Sequence, residues 1–353
     1  MIHVVTPYGR AAPSSRVRVF EWLDRIEEPH VLSSYLSHRN SDPSFISRHP
    51  AALLRAERRL RNIASERPHR LLLHREASPL SRGRLEERLL SSAGFGVYDF
   101  DDALQWDRGE GGLLRRLAPK AQKALVATQR SDRVIAGSPV LADWASEHNK
   151  DVILIPSCVA PDSYRRKADY ELRDPPRLGW IGSVDNEAYL RPLTAALREV
   201  HDRTGARLTI ISSSRQTLGD LEEMIDRVTW SEAMQYTTLA DFDVGLAPLP
   251  DRPYERGKCG YKLLQYAAAG TPIIGNPVGV NEQMLAQFGM PAPTDDAEWL
   301  DAILAFLDRS SSARAAMGTR ARELTQQLYS YDAWLPKWKE AVGLESHPVE
   351  SPR

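Results

Sequence analysis

Short runs of aliphatic and β-branched residues alternate with longer amphipathic stretches along this chain, and the alternation occurs twice. The first set of runs lies at 2–6, Arg70–His74 (RLLLH), 96–100 (GVYDF), Arg133–Ala136 (RVIA) and 152–155 (VILI). Helical stretches at 15–26, 50–66, 79–92, 111–130 and 139–148 separate them, the first with Ser14 or Ser15 as expected N-cap. A polar stretch at 160–176, carrying Pro161, Pro175 and Pro176, interrupts the pattern. It restarts with Arg177–Ile181, Arg207–Ser212, 227–230, 243–247 and 272–274, again with helices between. Strands alternating with helices build βαβ units and parallel sheets covered on both faces. The expectation is an α/β chain of two doubly wound domains, 1–165 and 177–328, joined by a linker at 166–176. A length of 353 residues suits two such domains. A final helical segment, 329–353, is a candidate to pack back on the first domain, with 345–353 frayed. Ligands of such sheets bind at the carboxyl ends of the strands, so the cleft between the domains is the expected site.

Composition excludes several classes. The net charge of −1 is unlike that of a general nucleic-acid binder. It conceals an asymmetry: residues 1–165 carry a net +5 and the remainder −6. A basic half can attract an anionic partner, but solvated arginines on helices are the plainer reading. Two cysteines, Cys158 and Cys259, exclude a disulfide scaffold. No apolar run approaches the roughly 20 residues of a membrane span. The opening MIHVVTPYG reads as a strand and turn, not a secretion signal, so a soluble cytoplasmic protein is expected. The basic helix near 55–70 offers a membrane-surface contact, but its apolar face, Leu53, Leu54, Leu60 and Ile63, is accounted for by core packing.

Several catalytic signatures are missing: GxGxxG after a strand, GxxxxGK[ST], GxSxG and HExxH. The nine histidines are scattered without zinc-pair spacing. The most informative stretch is 248–281, PLPDRPYERGKCGYKLLQYAAAGTPIIGNPVGVN. A strand ends at Pro248, a Pro/Gly-rich loop follows, and a helix is expected over 259–269, stopped by Gly270. Lys258 and Lys262 would sit on one face at its start, where the helix dipole disfavours cations. A bound phosphate offsets that cost; a solvated loop with two surface lysines is the plain alternative.

The segment GKCGYKLLQYAAAGTPIIGNPVGVNEQML resembles the signature region of family 4 glycosyltransferases, retaining enzymes of the GT-B fold. SSRVRVFEWL, VYDFDDA, RVIAGSPVLADWA and RLGWIGS extend the resemblance along the chain in the expected order. It implies two Rossmann-like domains, a nucleotide-sugar donor on the second, and an alcohol, lipid-linked or glycan acceptor on the first. It also implies retention at the anomeric carbon, with a donor phosphate oxygen taking the acceptor proton. No bound metal or other cofactor is implied, and no nucleic-acid partner.

The departures are specific. The family's two glutamates, counted back from Gly270, fall on Gly257 and Gln265. Gln265 would meet the donor ribose as a neutral partner, and Glu255 is a nearby substitute for the first glutamate. The family's Arg and Lys after the first strand of the second domain are absent from GSVDNEAYLRP, so Lys258 and Lys262 are the candidates to stabilise the leaving diphosphate. Gly182, Ser183, Gly257, Gly260 and Trp230 complete the expected donor site. On the acceptor side the resemblance suggests Arg16, Arg18, Arg75 and Glu76, with Asp101 and Asp102 as acceptor-positioning carboxylates. Asp99-Phe-Asp101 also matches the metal-binding DxD of a different glycosyltransferase fold, which the two-domain pattern disfavours. His74 reads as a buried strand-end histidine. A nucleotide-sugar epimerase and a non-catalytic nucleotide-binding scaffold are the alternatives to a transferase.

Overall fold

The computed structural model describes residues 1–36, 49–107, 116–214 and 216–344. The chain divides into two compact units. One comprises Met1–Ser157, Arg256–Cys259 and the chain from Trp334; the other comprises Cys158–Glu255 and Gly260–Ala333. The expected linker, 166–176, lies within the second unit. There the Lys167 N–H bonds the Ala269 carbonyl, Tyr170 donates to the Gly270 carbonyl and Arg173 pairs with Asp241.

The first unit is built on a parallel sheet of β1 (Ile2–Tyr8), β2 (His30–Leu36), β3 (Arg70–His74), β4 (Phe95–Phe100), β5 (Arg133–Ala136) and β6 (Val152–Leu154). The strands run in the order β2-β1-β3-β4-β5-β6. β2 escaped the sequence reading because its HVLSSYL has no clean apolar alternation and, as an edge strand, it is only partly covered. Val31 and Leu32 stay exposed there while Ser33 and Tyr35 are buried. The helix after β1 opens at Pro13, with Ala12 as N-cap, instead of being capped by Ser14 or Ser15. Proline at the first helical position needs no N–H partner, which frees the serine hydroxyls. This helix passes through a π turn at Arg16–Phe20 before ending at Leu23. The helices Pro50–Glu66 and Pro139–Ser146 match expectation, the latter capped by Ser138. The helices expected at 79–92 and 111–130 are shorter, Arg84–Ser92 and Lys120–Arg130; residues 111–115 lie outside the described residues. The terminal helix is Tyr331–Ala341, and within the first unit Trp338 stacks on Trp22 at 5.5 Å. The frayed end expected at 345–353 also lies outside the described residues.

The second unit holds β7 (Arg177–Ile181), β8 (Arg207–Ser212), β9 (Ile225–Thr229), β10 (Val244–Ala247) and β11 (Ile273–Gly275), all parallel, in the order β11-β10-β7-β8-β9. Alternation along β7 sends Leu178 and Trp180 into one core with Leu197, Val200 and Trp299. It sends Ile181 into the opposite core with Leu264, Tyr266 and Phe288. Both faces are covered, as the sequence pattern requires of a parallel sheet. β7 and β10 pair only through Val244–Leu178 and Gly245–Gly179. Beyond that point the Ile181 N–H bonds the Tyr266 hydroxyl at 3.1 Å, so a side chain satisfies the backbone where the strands diverge. Among the described residues no helix is long and apolar enough to cross a membrane.

Candidate functional site

In each sheet the strand order reverses once, between β1 and β3 and between β7 and β10. The carboxyl ends beside such reversals are where doubly wound sheets bind ligands. The candidate residues gather at both places.

In the first unit the group begins with β3 and β4, where His74 and Asp99 are register partners. His74 Nδ1 lies 2.8 Å from Asp99 Oδ1. Arg18, from the helix after β1, forks onto the same carboxylate through Nε at 3.2 Å and Nη2 at 2.6 Å. Its Nη1 donates to the carbonyls of Ile155 and Pro156. Arg18, His74 and Asp99 are essentially buried. Burial works against the Asp99 carboxylate, but Arg18 and then His74 hold its pKa below the usual range.

A more open layer lies above. Arg75 follows β3 with a left-handed backbone, φ 60°, sparsely populated by non-glycine residues. It is pinned there because its N–H bonds the Asp99 carbonyl at 2.9 Å and its own carbonyl accepts the Tyr98 hydroxyl at 2.9 Å. Its guanidinium meets Asp101 through Nε at 2.7 Å and Asp102 through Nη2. Lys258 stands 3.6 Å from Asp102, and Cys259 donates its S–H to the Asp101 carbonyl at 3.1 Å. Burial alone would raise the Asp101 pKa; Arg75, His74 and Arg18 outweigh it and lower it. Ser14 joins the layers: its Oγ is 2.8 Å from His74 Nε2 and 3.1 Å from Asp101 Oδ1.

This arrangement changes several assignments. Arg18 is an internal counter-ion instead of an acceptor contact, because an Asp99 buried at β4 needs a buried cation. Glu76 is likewise internal, taking Lys123 Nζ at 2.6 Å, while that amine also donates to the Ser78 carbonyl. Arg16 is buried as well, on the π turn. Asp101, Asp102, Arg75 and Lys258 do come together and keep partial exposure. Each carboxylate of the DxD pair is met by a guanidinium, an arrangement that disfavours a divalent ion. Ser14, named in the sequence only as a cap, and His74, read as a core residue, belong to the same cluster. The signal for His74 is its place at the end of RLLLH, matching Asp99 at the end of the next strand.

In the second unit the signature helix is Tyr261–Ala269, not 259–269. Gly260 is its N-cap at φ 64°, where a side chain would be strained and would also press on Met284. Lys258 therefore lies outside the helix and in the other unit, and the two lysines do not share a helix face. Gly257 is also in the first unit, its carbonyl accepting from Ser138 Oγ at 3.2 Å. Lys262, second residue of the helix, holds its ammonium 4.0 Å from the centroid of the Trp180 ring. Gly182 follows on the same strand end, and a Cβ there would come within 2.4 Å of the Trp180 ring. Ser183 lies next to it as N-cap of a 3-10 stretch. Gln265 is buried and donates to Gln235 Oε1 at 3.2 Å. Glu255 accepts from the Tyr189 hydroxyl at 2.8 Å. Trp230 sits one residue beyond β9, partly buried against the Tyr266 core.

The comparisons with known proteins place this chain. The family described as Glycosyl transferases group 1 matches residues 175–309. The likeness to that family covers 135 of the 353 residues, all but Arg256–Cys259 within the second unit. Solved structures extend the likeness to both units. One is similar to 98% of this chain at 15% identity and a TM-score of 0.64: WaaG, a glycosyltransferase involved in lipopolysaccharide biosynthesis, all of which is covered. Anabaena HepE in complex with UDP and glucose matches 97% of the chain and 99% of its own length, at 11% identity and a TM-score of 0.70. S. aureus TarM, in a complex that includes UDP, matches 77% of the chain at 13% identity and a TM-score of 0.57; the chain spans 55% of TarM. No curated protein matches. At these identities the likeness shows the fold, GT-B with two Rossmann-like domains, and the family match adds a similarity to group 1 glycosyl transferases over residues 175–309. The resemblance read from the sequence is thereby borne out.

Proposed function

We propose that this chain is a nucleotide-sugar glycosyltransferase whose second unit takes the donor and whose first unit takes an alcohol or glycan acceptor. The observation that carries the donor assignment is Lys262. It is fixed over Trp180 at the first turn of the helix after β10, on the same β7 edge as Gly182 and Ser183. A half-buried cation and a helix N-terminus together suit a diphosphate and stabilise charge as it leaves. This one lysine stands in for the family's Arg and Lys. Lys258, paired with Asp102, belongs instead to the acceptor-side cluster. Arg75, Asp101 and Asp102 present polar groups suited to sugar or alcohol hydroxyls. Retention at the anomeric carbon follows from the family resemblance. Transfer without a bound metal is supported by the ion pairs that occupy Asp99 and Asp101.

The runner-up is a scaffold that keeps the fold without catalysis. It is favoured by one observation: Gln265, where the family has a ribose-binding glutamate, is bonded to Gln235.

A thermal-shift series with UDP, GDP, dTDP and ADP, each with and without EDTA, tests the proposal. UDP comes first because HepE and TarM are described with it. A nucleotide at 100 times its Kd stabilises by roughly 2.7 kcal/mol, a rise of several degrees in Tm for domains of this size. The expected result is one stabilising nucleotide whose effect persists in EDTA. No shift with any of the four favours the scaffold.

A further inference from the structure

Three large apolar side chains of the first unit stay in solvent beside the charged cluster. Leu80 is 41% exposed, Trp106 46% and Leu117 55%. A single exposed leucine is ordinary, but large apolar residues gathered in one place mark a contact surface. These three belong to separate segments, and their common place follows from the bonds that hold those segments. Helix Lys120–Arg130 is the shared support. Its Lys123 amine donates to the Ser78 carbonyl at 2.8 Å, two residues before Leu80. Its Lys120 pairs with Asp107 at 4.0 Å, and the Ala121 N–H bonds the Asp107 carbonyl at 3.4 Å, one residue after Trp106. Leu117 precedes the same helix by three residues.

The exposure is held in place by backbone bonds. The Leu80 N–H bonds Ser78 Oγ at 3.0 Å, and Ser81 Oγ accepts from the Gly83 N–H while donating to Glu86. The Leu104 N–H bonds the Asp102 carbonyl at 2.7 Å and the Trp106 N–H bonds the Ala103 carbonyl at 2.9 Å. This tight turn brings the indole within four residues of Asp102, whose carboxylate pairs with Arg75, five residues before Leu80. The apolar rim therefore continues directly from the group Arg75, Asp101 and Asp102. Basic groups adjoin it: Arg82 and Arg84 follow Leu80, Arg116 precedes Leu117, and all three are exposed. The acidic residues on either side of Leu80, Glu76 and Glu86, are instead buried, engaged with Lys123 and Ser81.

Resting on the transferase reading for the place of the acceptor, we infer that the acceptor is an amphiphile. Its hydroxyl group meets Arg75, Asp101 and Asp102, its apolar chain or ring covers Leu80, Trp106 and Leu117, and an anionic group such as phosphate meets the arginines. A free sugar or a hydrophilic glycan leaves the rim in water and gains nothing from it. An indole and two leucines supply apolar area, while the few polar groups beside them fix orientation. A guanidinium adds a charge-assisted bond to phosphate.

The test titrates the full-length chain by calorimetry with decyl glucoside and decyl phosphate, both below micelle formation, and with glucose and inorganic phosphate as the head groups alone. The decyl compounds should bind at least about tenfold more tightly than their head groups, the factor that burial of one large apolar group supplies. Trp106→Ser and Leu117→Ser should each weaken both decyl compounds by about tenfold. Arg82→Ser combined with Arg84→Ser should weaken decyl phosphate alone, and Asp102→Asn decyl glucoside alone. Leu328→Ser, at an exposed leucine of the second unit, is the control and should change neither. Wild-type affinity in both Trp106→Ser and Leu117→Ser overturns the proposal, as does an equal loss in Leu328→Ser. Phosphatidylglycerol vesicles that bind while the monomeric decyl compounds do not would make the rim a membrane contact and likewise overturn it. The nucleotide thermal shift on the same samples separates the two readings. A nucleotide shift without decyl binding removes only the acceptor class. No nucleotide shift removes both, since a rim without a donor site receives no acceptor.

Discussion

His74 and Asp99 are register partners on β3 and β4, and the imidazole and carboxylate meet at 2.8 Å on the side where Arg18 also enters. This pair is the internal floor of the charged cluster in the first unit. Asp99→Asn keeps the shape but removes the charge that Arg18 was buried against. Breaking one partner of a buried ion pair costs about 3–5 kcal/mol. Denaturant midpoints should show a loss of that size, and a loss below about 1 kcal/mol would refute the role given to Arg18.

Acid should act on the same carboxylates. Asp99 and Asp101 both have folded-state pKa values below the ordinary range, so the unfolded chain binds more protons than the folded one. Their contribution is fully present at neutral pH and is lost as pH falls below about 4, the ordinary aspartate value, towards their lower folded values. Tm measured across an acid series should fall through that window. The fall should be shallower in Asp99→Asn, and an unchanged slope would count against the assignment.

Lys262 is predicted to matter for ligand and little for fold. Its ammonium lies on the face of Trp180, an interaction worth about 0.5–2 kcal/mol. Lys262→Ala should therefore lower the Tm of the free protein only slightly. The nucleotide-dependent rise in Tm should disappear in the same variant. A full nucleotide shift in Lys262→Ala would remove the diphosphate from this corner of the second unit.

Gly182→Ala tests the same corner by shape. The added methyl would stand 2.4 Å from the Trp180 ring, so the ring that carries Lys262 must move. Overpacking of this kind costs about 1–3 kcal/mol. Both a lower Tm and a weaker nucleotide response are expected. A variant with wild-type values would show that Trp180 has room to yield.

Arg75 separates backbone from side chain. Glycine relieves a left-handed backbone that costs of order 1–3 kcal/mol in other residues, while the ion pairs to Asp101 and Asp102 are lost. Arg75→Gly should consequently change unfolding free energy by less than about 1.5 kcal/mol, well short of the loss expected from breaking a sealed pair. Donor turnover should drop at least tenfold.

The alternation of strands and helices was readable because it is local: period-two and period-3.6 patterns record which faces are buried. Ten of the strands and the helix Pro50–Glu66 follow from it, and β2 does not, since an edge strand with serines leaves little trace. The Lys258–Lys262 pairing failed for a related reason. Spacing places residues on a face only if the helix continues through them, and Gly260 starts the helix after Lys258.

By itself the sequence determined two parallel α/β sheets, a polar Pro/Gly loop before the signature helix, and a set of charged residues at strand ends. Only the tertiary structure decided which of those charges are sealed inside and which stay open. Arg18, Asp99 and Glu76 became internal counter-ions, while Arg75, Asp101, Asp102 and Ser14 kept a partly exposed edge. The reason is physical: burial and pairing are properties of neighbours brought together across strands, here residues 14, 18, 74 and 99, which no local pattern connects. The contacts that join Ser14, His74 and Asp99 exist only once the strands are in register.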